Sequence, residues 1–397
     1  MRKRLKYLFL LLILLNRVLI SQETPRAEVY LITCGPGTET YSVYGHSALR
    51  IVVPEKKIDT VYNWGVFDFD TPNFAWKFAK GRLNYMLGVY SYEAFLKDYF
   101  LEQRWVISQK FNLETPDIDR LFLLLEENLK PENITYRYDF YYDNCSTRIR
   151  DLMEKAVGDD LLYPPEKAKK ELQTFRYLTG EFEKGYPWTK LGIDLLIGSP
   201  GDKKASFRER MFLPAHLKNG LSELVIHRNS KMIPLLQDPE IVLDIDQQPL
   251  KEKLFTTPLF VFSLLLIIII ILTGSVRGKT VNNIIDTLFF SLFSILALLM
   301  IFFNFFTDHH QLRWNLNIIW LNPFIILCLT SLVFKKDWSG WFRIVFYLAA
   351  LFLLFLAVLP QHINNAFFPL IIILMIRSSI RADFKWNPFT LPYLTQL

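Results

Sequence analysis

Two short segments carry the residues that could do chemistry, because each places one reactive side chain in an otherwise amphipathic pattern. YSVYGHSALRI contains His46, and DFYYDNCSTRIRD contains Cys145. A cysteine thiolate is a strong nucleophile, and a neighbouring imidazole can take the thiol proton. If these two side chains meet, the chain has the main parts of a cysteine-based acyl-transfer enzyme.

Cys145 stands at the predicted start of a helix. Asp143 or Asn144 can serve as the N-cap, and an apolar stripe that begins with Cys145 and Ile149 follows at helical spacing. The positive end of a helix favours the thiolate form of cysteine. Two simpler interpretations stay open: a buried core cysteine, and a disulfide between Cys34 and Cys145 in an oxidising compartment.

His46 lies on a predicted strand, where a structural histidine is the simpler interpretation. Tyr44 and Gly45 precede it, and the glycine permits close approach of another chain segment. The next predicted strand supplies Asn63, and Asp68 follows further along. A thiol at a helix start, an imidazole and an orienting amide are the parts of a Cys-His-Asn arrangement.

The elements that must position these residues form an α+β pattern. Strands are predicted at AEVYLITCG, HSALRIVVP and DTVYNWGVFDF, where apolar and polar residues alternate. Helices are predicted at TPNFAWKFAKG, YEAFLKDYFLEQ, PDIDRLFLLLEENLK and NCSTRIRDLMEKAVG. The sequence shows neither zinc-type Cys/His spacing nor a glycine-rich phosphate loop, so we expect no metal and no cofactor.

Composition divides the 397 residues near Lys253, because a charged region gives way there to long apolar runs. The net charge of +6 is typical of basic cytoplasmic loops in a membrane chain, so nucleic acid is not expected as a partner. A basic N-terminus followed by an apolar core predicts a signal sequence or short anchor. We therefore predict a signal segment at 1–21, an outer domain at 22–253 and a transmembrane domain at 254–397.

The transmembrane part is predicted to contain five helices, because a spanning helix needs about 20 apolar residues. The apolar runs lie near residues 256–273, 284–305, 316–334, 342–359 and 363–376, and the fifth is short. Basic residues occupy the links after the first, third and fifth runs. Cytoplasmic links carry such an excess of lysine and arginine, so the region 22–253 is predicted to lie outside the cytoplasm.

Two further stretches suggest contact with lipid. PNFAWKFAKGRLNYMLGVYSYEAF mixes aromatic residues with Lys80 and Arg82, which suits a membrane surface that binds phosphate, although an ordinary amphipathic helix is an equal alternative. The outer link TDHHQLRWNLN could suggest a metal through residues 308–310, but a polar interfacial link is favoured. Asn317 stands near the outer edge of a span, where it can face the outer domain or a lipid headgroup.

Taken together, YGHSALRI, YNWGVFDFDTPNFAWKFAKGRLNYML and YYDNCSTRIRDLM closely resemble the N-terminal periplasmic domain of the Lnb-type lipoprotein N-acyltransferases. GDKKASFRERMFLP and NLNIIWLNPF are similar to the same family, so the resemblance extends over most of the chain. The histidine-before-cysteine order resembles circularly permuted papain-like folds of the NlpC and lecithin:retinol acyltransferase types.

The resemblance implies a papain-like α+β periplasmic domain followed by an all-α domain of about five helices in the bacterial inner membrane. It implies that an acyl chain moves from a phospholipid to the N-terminal amine of diacylated lipoproteins. Cys145 is then the nucleophile and His46 the base, with Asn63 as the third member and Asp68 as its alternative.

From the same patterns we expect substrate contacts from Tyr44, Lys80, Arg82, Asn144 and Asn317. Two competing functions stay open at this point. One is a peptidoglycan-directed cysteine peptidase of the NlpC type. The other is a non-catalytic membrane scaffold whose outer domain is locked by a disulfide.

Overall fold

The structure is a computed structural model of the chain, and it describes residues 27–39, 41–247, 253–276, 278–382 and 384. The predicted signal segment at 1–21 lies outside the described residues. The predicted domain boundary adjoins residues 248–252, which are also outside them. The described chain forms a mixed α/β N-terminal domain followed by a helical C-terminal domain, as the sequence predicts.

The centre of the N-terminal domain is a seven-stranded antiparallel sheet. Ten strands are present in the described residues: β1 (Glu28–Cys34), β2 (His46–Val53), β3 (Ile58–Val66), β4 (Asn84–Ser91), β5 (Val106–Lys110), β6 (Thr135–Arg137), β7 (Leu161–Leu162), β8 (Val225–Arg228), β9 (Lys231–Pro234) and β10 (Glu240–Leu243). The large sheet has the order β10-β5-β1-β2-β3-β4-β6, and β7, β8 and β9 form a small second sheet. The predicted strands β1, β2 and β3 are confirmed.

The described part of the N-terminal domain has seven α-helices: α1 (Phe74–Ala79), α2 (Tyr92–Leu101), α3 (Thr115–Leu129), α4 (Cys145–Val157), α5 (Phe175–Gly180), α6 (Pro187–Leu196) and α7 (Pro214–Glu223). One face of the large sheet packs against α3, α4 and α7, and the other face packs against α2. Alternation along β1 explains this, since Leu31 enters the first core and Ile32 the second.

One stretch that the sequence suggested as a lipid-facing surface is divided between several elements. Helix α1 ends at Ala79, and strand β4 begins at Asn84. Tyr85 on β4 is buried in the core between the sheet and α4, so it is not part of an outer membrane-facing surface. Only α1 of this stretch presents large aromatic side chains to the surface near the C-terminal domain, and Trp76 is the clearest case.

Among the residues that the structure describes, the C-terminal domain has five apolar α-helices: α8 (Pro258–Ser275), α9 (Lys279–Phe305), α10 (Phe324–Val333), α11 (Ser339–Leu354) and α12 (Phe367–Arg381). Within the described residues, the segments 258–275, 279–305 and 316–333 are long and apolar enough to cross a membrane. Helix α12 extends further than the predicted fifth run and carries Arg377 into the bundle. There Arg377 donates to Asp286 of α9 over 2.6 Å, and both side chains are buried.

Helix α6 connects the two domains. Its leucines pack against the core of the helical domain, and the indole of Trp188 donates to the carbonyl of Thr256 over 2.8 Å. Asn315 of the helical domain donates to the carbonyls of Leu195 and Leu196 at 2.7 and 2.9 Å. The N-terminal domain is therefore fixed directly on one end of the helical bundle.

Candidate active site

Cys145 is the first residue of α4, and Asn144 caps that helix. The Asn144 side-chain oxygen accepts hydrogen bonds from the backbone N–H groups of Ser146 and Thr147 at 2.8 and 2.9 Å. The Thr147 hydroxyl accepts the Asn144 N–H in return, which completes a capping box. The cap leaves the Cys145 N–H without a hydrogen bond in the described part of the chain, so it can stabilise an oxyanion.

Both the oxygen and the nitrogen of the Asn144 side-chain amide are engaged in hydrogen bonds within the protein. The predicted role of Asn144 as a substrate contact therefore does not fit the structure. Its nitrogen donates to the carbonyls of Phe140 and Phe212 at 2.8 and 2.9 Å, and the residue is 2% exposed. Asp143, the other candidate cap, pairs with Arg148 instead. The amide of Asn144 therefore fixes the start of α4 and has no polar atom left for a ligand.

His46 and Asn63 meet across neighbouring strands. His46 begins β2 and Asn63 lies on β3, and His46 also forms a hydrogen bond with Cys145 at the start of α4. The Nε2 atom of His46 lies 2.5 Å from the Asn63 side-chain oxygen. Because an amide oxygen only accepts, Nε2 donates, and Nδ1 is the ring nitrogen available to Cys145. Asp68 is in the turn after β3, where it accepts the Asp70 N–H, so it does not orient His46.

The thiol and the imidazole act on each other's protonation. Burial alone would raise the pKa of Cys145, but the attraction and hydrogen bond of His46 lower it below the usual thiol value. The Ser47 backbone N–H and the Ser146 hydroxyl add to this lowering. For His46, burial opposes the charged form, yet Cys145 and the Asn63 bond raise its pKa above the usual value. Both shifts favour a thiolate–imidazolium pair.

A cavity of about 480 Å³ opens above this pair. Its size is within the range of roughly 300–1,000 Å³ that is common for ligand pockets. The wall is mostly apolar and contains eight tyrosine and phenylalanine residues: Tyr41, Tyr44, Phe67, Phe78, Tyr85, Tyr138, Phe140 and Phe212. Phe78 is also half-exposed on α1. Trp76, two residues earlier, packs against Phe302 of α9, with ring centroids 5.4 Å apart. The cavity thus lies beside the end of the helical bundle.

Tyr44 lines the cavity, as predicted for a residue near substrate, but its hydroxyl is anchored. It donates to the buried carboxyl of Glu183 over 2.9 Å. The pKa of Glu183 is raised above its usual value, mainly by burial and further by the neighbouring Asp194 charge. Lys190 and the Tyr44 hydroxyl act in the opposite direction and lower it, but by less. Asp194 in turn accepts a hydrogen bond from Asn364 of the helical domain at 2.8 Å. A continuous polar chain therefore connects the cavity wall with the helical domain.

The other predicted substrate contacts lie outside the cavity. Lys80 rests over the ring of Trp76 with its nitrogen 4.7 Å from the centroid. Arg82 forms an ion pair with Asp308 of the helical domain at 2.7 Å, so its charge is already matched. Asn317 is fully buried and accepts the indole N–H of Trp320 over 3.0 Å. Of the two predicted alternatives for Asn317, the outer domain is its partner, since it also donates to Leu195.

Sequence reasoning missed three polar residues of the cavity wall: Tyr138, His309 and Gln311. Tyr138 precedes Cys145 by seven positions, and burial and the adjacent thiol raise its pKa well above the usual value. His309 and Gln311 come from the link after α9, more than 160 residues from Cys145 in the sequence. No local pattern indicates that this link folds over the cavity.

The predicted alternative of a Cys34–Cys145 disulfide is wrong. All three cysteines of the chain lie in the described residues and are unpaired. Cys34 belongs to the core on the α2 face of the sheet, whereas Cys145 belongs to the core on the opposite face. Burial raises the pKa of Cys34 to about 12, so this thiol is unreactive.

Two family models match the chain, one for each domain. The Lnb N-terminal periplasmic domain matches residues 21–180, and the Lnb transmembrane domain matches residues 250–385. The chain belongs to the Lnb family. Neither a curated protein nor a solved structure matches it. As an Lnb protein it is a membrane protein with a periplasmic domain, and the cavity with Cys145 and His46 belongs to that domain.

Proposed function

We propose that this Lnb protein is a lipoprotein N-acyltransferase of the bacterial inner membrane. The observation that carries the proposal is the hydrogen-bonded pair of Cys145 and His46 at the floor of an apolar cavity beside the transmembrane bundle. The family membership supports a membrane enzyme. The acyl donor is a phospholipid, and the acceptors are diacylated lipoproteins.

In the first half of the proposed reaction, the Cys145 thiolate attacks the carbonyl carbon of a phospholipid ester. The ester C–O bond breaks, and the His46 imidazolium gives its proton to the leaving glycerol oxygen. The products are a lysophospholipid and a thioester on Cys145. The Cys145 N–H at the helix start donates to the developing oxyanion in this proposal, and the aromatic wall holds the acyl chain.

In the second half, the N-terminal amine of the lipoprotein attacks the thioester carbonyl. The new C–N bond forms, the C–S bond breaks, and one amine proton passes to His46. The enzyme returns to its thiolate–imidazolium pair. Trp76 packs beside Phe302 of the helical domain, and Phe78 on the same helix lines the cavity. This arrangement supports lateral access of acyl chains from the membrane, which a peptidase of soluble or cell-wall substrates does not require.

The test uses the purified full-length protein in phospholipid vesicles, with mass spectrometry of the protein and of the lipids. We expect the wild type to release lysophospholipid and to carry a hydroxylamine-labile acyl group on Cys145. Cys145→Ser is expected to insert normally and to form neither product. In cells without another N-acyltransferase, Cys145→Ser should leave lipoproteins diacylated. Triacylated lipoproteins at wild-type levels in those cells would show that Cys145 is not the nucleophile.

The NlpC-type peptidase makes a different prediction in the same experiment. It would cleave peptidoglycan fragments and would leave phospholipid intact. If the protein releases cell-wall peptides and no lysophospholipid, then it is a peptidase and the proposed transferase function is wrong.

A further inference from the structure

The link between α9 and the next helical segment forms one wall of the cavity above Cys145. We define the outer link as residues 307–313. It is held on the turn after α1 by three contacts: the Asp308 N–H donates to the Lys80 carbonyl at 2.9 Å, Arg82 pairs with the Asp308 carboxylate at 2.7 Å, and the His309 ring bonds the Phe78 carbonyl at 2.9 Å. The periplasmic cavity is therefore incomplete without the transmembrane domain.

Gly81 makes this close approach possible. Its φ is +69°, and a Cβ atom there would lie only 3.2 Å from both the backbone nitrogen and the Nδ1 atom of His309. A side chain at this position would be strained and would push the outer link away. The fit indicates that the link is seated on the α1 turn as a fixed wall.

The contact with Phe78 decides the hydrogen-bonding character of His309. A carbonyl oxygen only accepts, so Nε2 of His309 carries the hydrogen in this contact. In the neutral ring, Nδ1 then has a free lone pair and can only accept. The acceptor nitrogen of His309 thus belongs to a ring that lines the cavity, beside Gly81.

Gln311 carries a second acceptor within the same wall. The residue is 9% exposed, and its side-chain oxygen is buried without a hydrogen-bond partner among the described residues. A buried polar group in that state costs about 1–3 kcal/mol, which a donating ligand removes. Other polar groups of the wall are already engaged, as the Tyr44 hydroxyl is with Glu183 and the His46 Nε2 is with Asn63.

We propose that the outer link is the acceptor-amine subsite of this cavity, with His309 Nδ1 and Gln311 Oε1 accepting hydrogen bonds from the attacking primary amine. This inference rests on the proposed function. A carboxylic ester has no N–H or O–H donor at its reacting centre, whereas a primary amine supplies several. The two acceptors therefore match the second substrate and not the phospholipid ester. A wall that comes from the membrane domain also suits an amine attached to a membrane-anchored peptide.

The experiment separates the two halves of the reaction in the full-length protein. Phospholipid vesicles alone measure formation of the thioester, and a synthetic diacylated lipopeptide with a free N-terminal amine measures transfer. The variants are His309→Leu and Gln311→Leu, and Gln311→Glu keeps the acceptor oxygen. His310→Leu is the matched control, because the adjacent His310 ring packs on Tyr142 with centroids 5.4 Å apart and does not line the cavity.

We expect both leucine variants to form the thioester within twofold of the wild-type rate. Transfer to the lipopeptide should fall tenfold or more, mainly through a higher KM for the acceptor, and acyl-enzyme should accumulate. Hydroxylamine, a small nucleophile that needs no subsite, should discharge the thioester at the wild-type rate. His310→Leu should transfer within about threefold of wild type. Gln311→Glu should keep more transfer than Gln311→Leu does, because it retains an acceptor oxygen.

Three results would overturn the subsite. Thioester formation that falls as much as transfer would make the link a part of the donor pocket or of the fold. If the KM for the lipopeptide acceptor is unchanged in both leucine variants, then His309 and Gln311 do not contact the acceptor amine. If His310→Leu loses as much transfer activity as the two leucine variants at 309 and 311, then any substitution in the outer link disturbs the cavity, and the two acceptors have no specific role. Absence of a thioester in the wild type would overturn the proposed function as well, whereas normal thioester with normal transfer in the variants would overturn this subsite alone.

Discussion

The Nε2 atom of His46 is 2.5 Å from the side-chain oxygen of Asn63, and this bond leaves Nδ1 as the ring nitrogen for the hydrogen bond with Cys145. The two residues come from neighbouring antiparallel strands, so the sheet register sets the orientation of the base. An orienting amide assists the imidazole without taking part in proton transfer.

Asn63→Ala should therefore slow thioester formation less than His46→Ala does. Loss of general acid–base catalysis at His46 should cost about 10²–10⁴-fold, and we expect roughly tenfold for Asn63→Ala. Asp68→Ala is the control, because Asp68 only accepts a local turn bond from Asp70. The rate of lysophospholipid release is the measurement for all three variants. Full activity of Asn63→Ala would mean that packing alone orients His46.

Alkylation of Cys145 by iodoacetamide should depend on pH through the thiolate fraction. The pKa of Cys145 is lowered from the usual value of 9.0, so the thiolate persists at pH values below 9 where an ordinary thiol is protonated. The pKa of His46 is raised above 6.5, so the imidazolium partner also persists above pH 6.5. The wild-type protein should react at neutral pH.

In His46→Ala, the attraction is lost and burial remains, so the alkylation profile should move to more alkaline pH. Cys34 is the internal reference, since its pKa of about 12 should keep it unlabelled throughout. A wild-type profile centred at pH 9 or above would contradict the ion pair.

Orientation can be tested with reporter fusions. Reporters at Gly278 and Ser339 should read as cytoplasmic, and one after Arg313 should read as periplasmic, because the outer link contacts the periplasmic domain. A periplasmic signal at Ser339 would contradict the model of five spans.

The sequence predicted the site better than its surroundings, for physical reasons that differ between residues. Cys145, His46 and Asn63 follow from local patterns, since a capped helix start and alternating strands determine which way each side chain points. Arg82 looked like a lipid-binding cation because its partner, Asp308, lies 226 residues away. Long-range pairing of this kind has no local signature.

Secondary structure shows the same division. Strands β1, β2 and β3 have regular alternation and were predictable. Strand β4 was not, because its sequence continues the aromatic and basic pattern of α1 and only the sheet reveals that Tyr85 is buried. Asn317 could be placed near the membrane edge from its position in an apolar run, but the carbonyl of Leu195 that it contacts belongs to the other domain.

The buried ion pair between Asp286 and Arg377 should be important for the stability of the transmembrane domain. Asp286 is fully buried and bonds both Arg377 and Arg381. Removing one partner of such a pair costs about 3–5 kcal/mol, because the other charge is left buried and unpaired. Asp286→Leu should therefore lower the thermal unfolding temperature in detergent clearly. The double variant with Arg377→Met should recover part of the loss, and an equal or larger loss in the double variant would contradict this explanation.

The last prediction concerns Asn144, which the sequence suggested as a substrate contact and which caps α4 in the structure. Asn144→Asp keeps an oxygen that can accept the Ser146 and Thr147 N–H groups, so the cap is retained. The new negative charge lies beside Cys145, and a like charge disfavours the thiolate. The pKa of Cys145 should rise, so alkylation at neutral pH should slow and the profile should move to more alkaline pH.

Asn144→Ser retains a capping oxygen without the charge, so its profile should stay near wild type, although it loses the bonds to Phe140 and Phe212. The melting temperature by circular dichroism separates these effects, because loss of the two carbonyl bonds lowers stability in both variants. If Asn144→Asp leaves the alkylation profile unchanged but raises the KM for a substrate, then Asn144 contacts that substrate, and its role as a positioning residue is wrong.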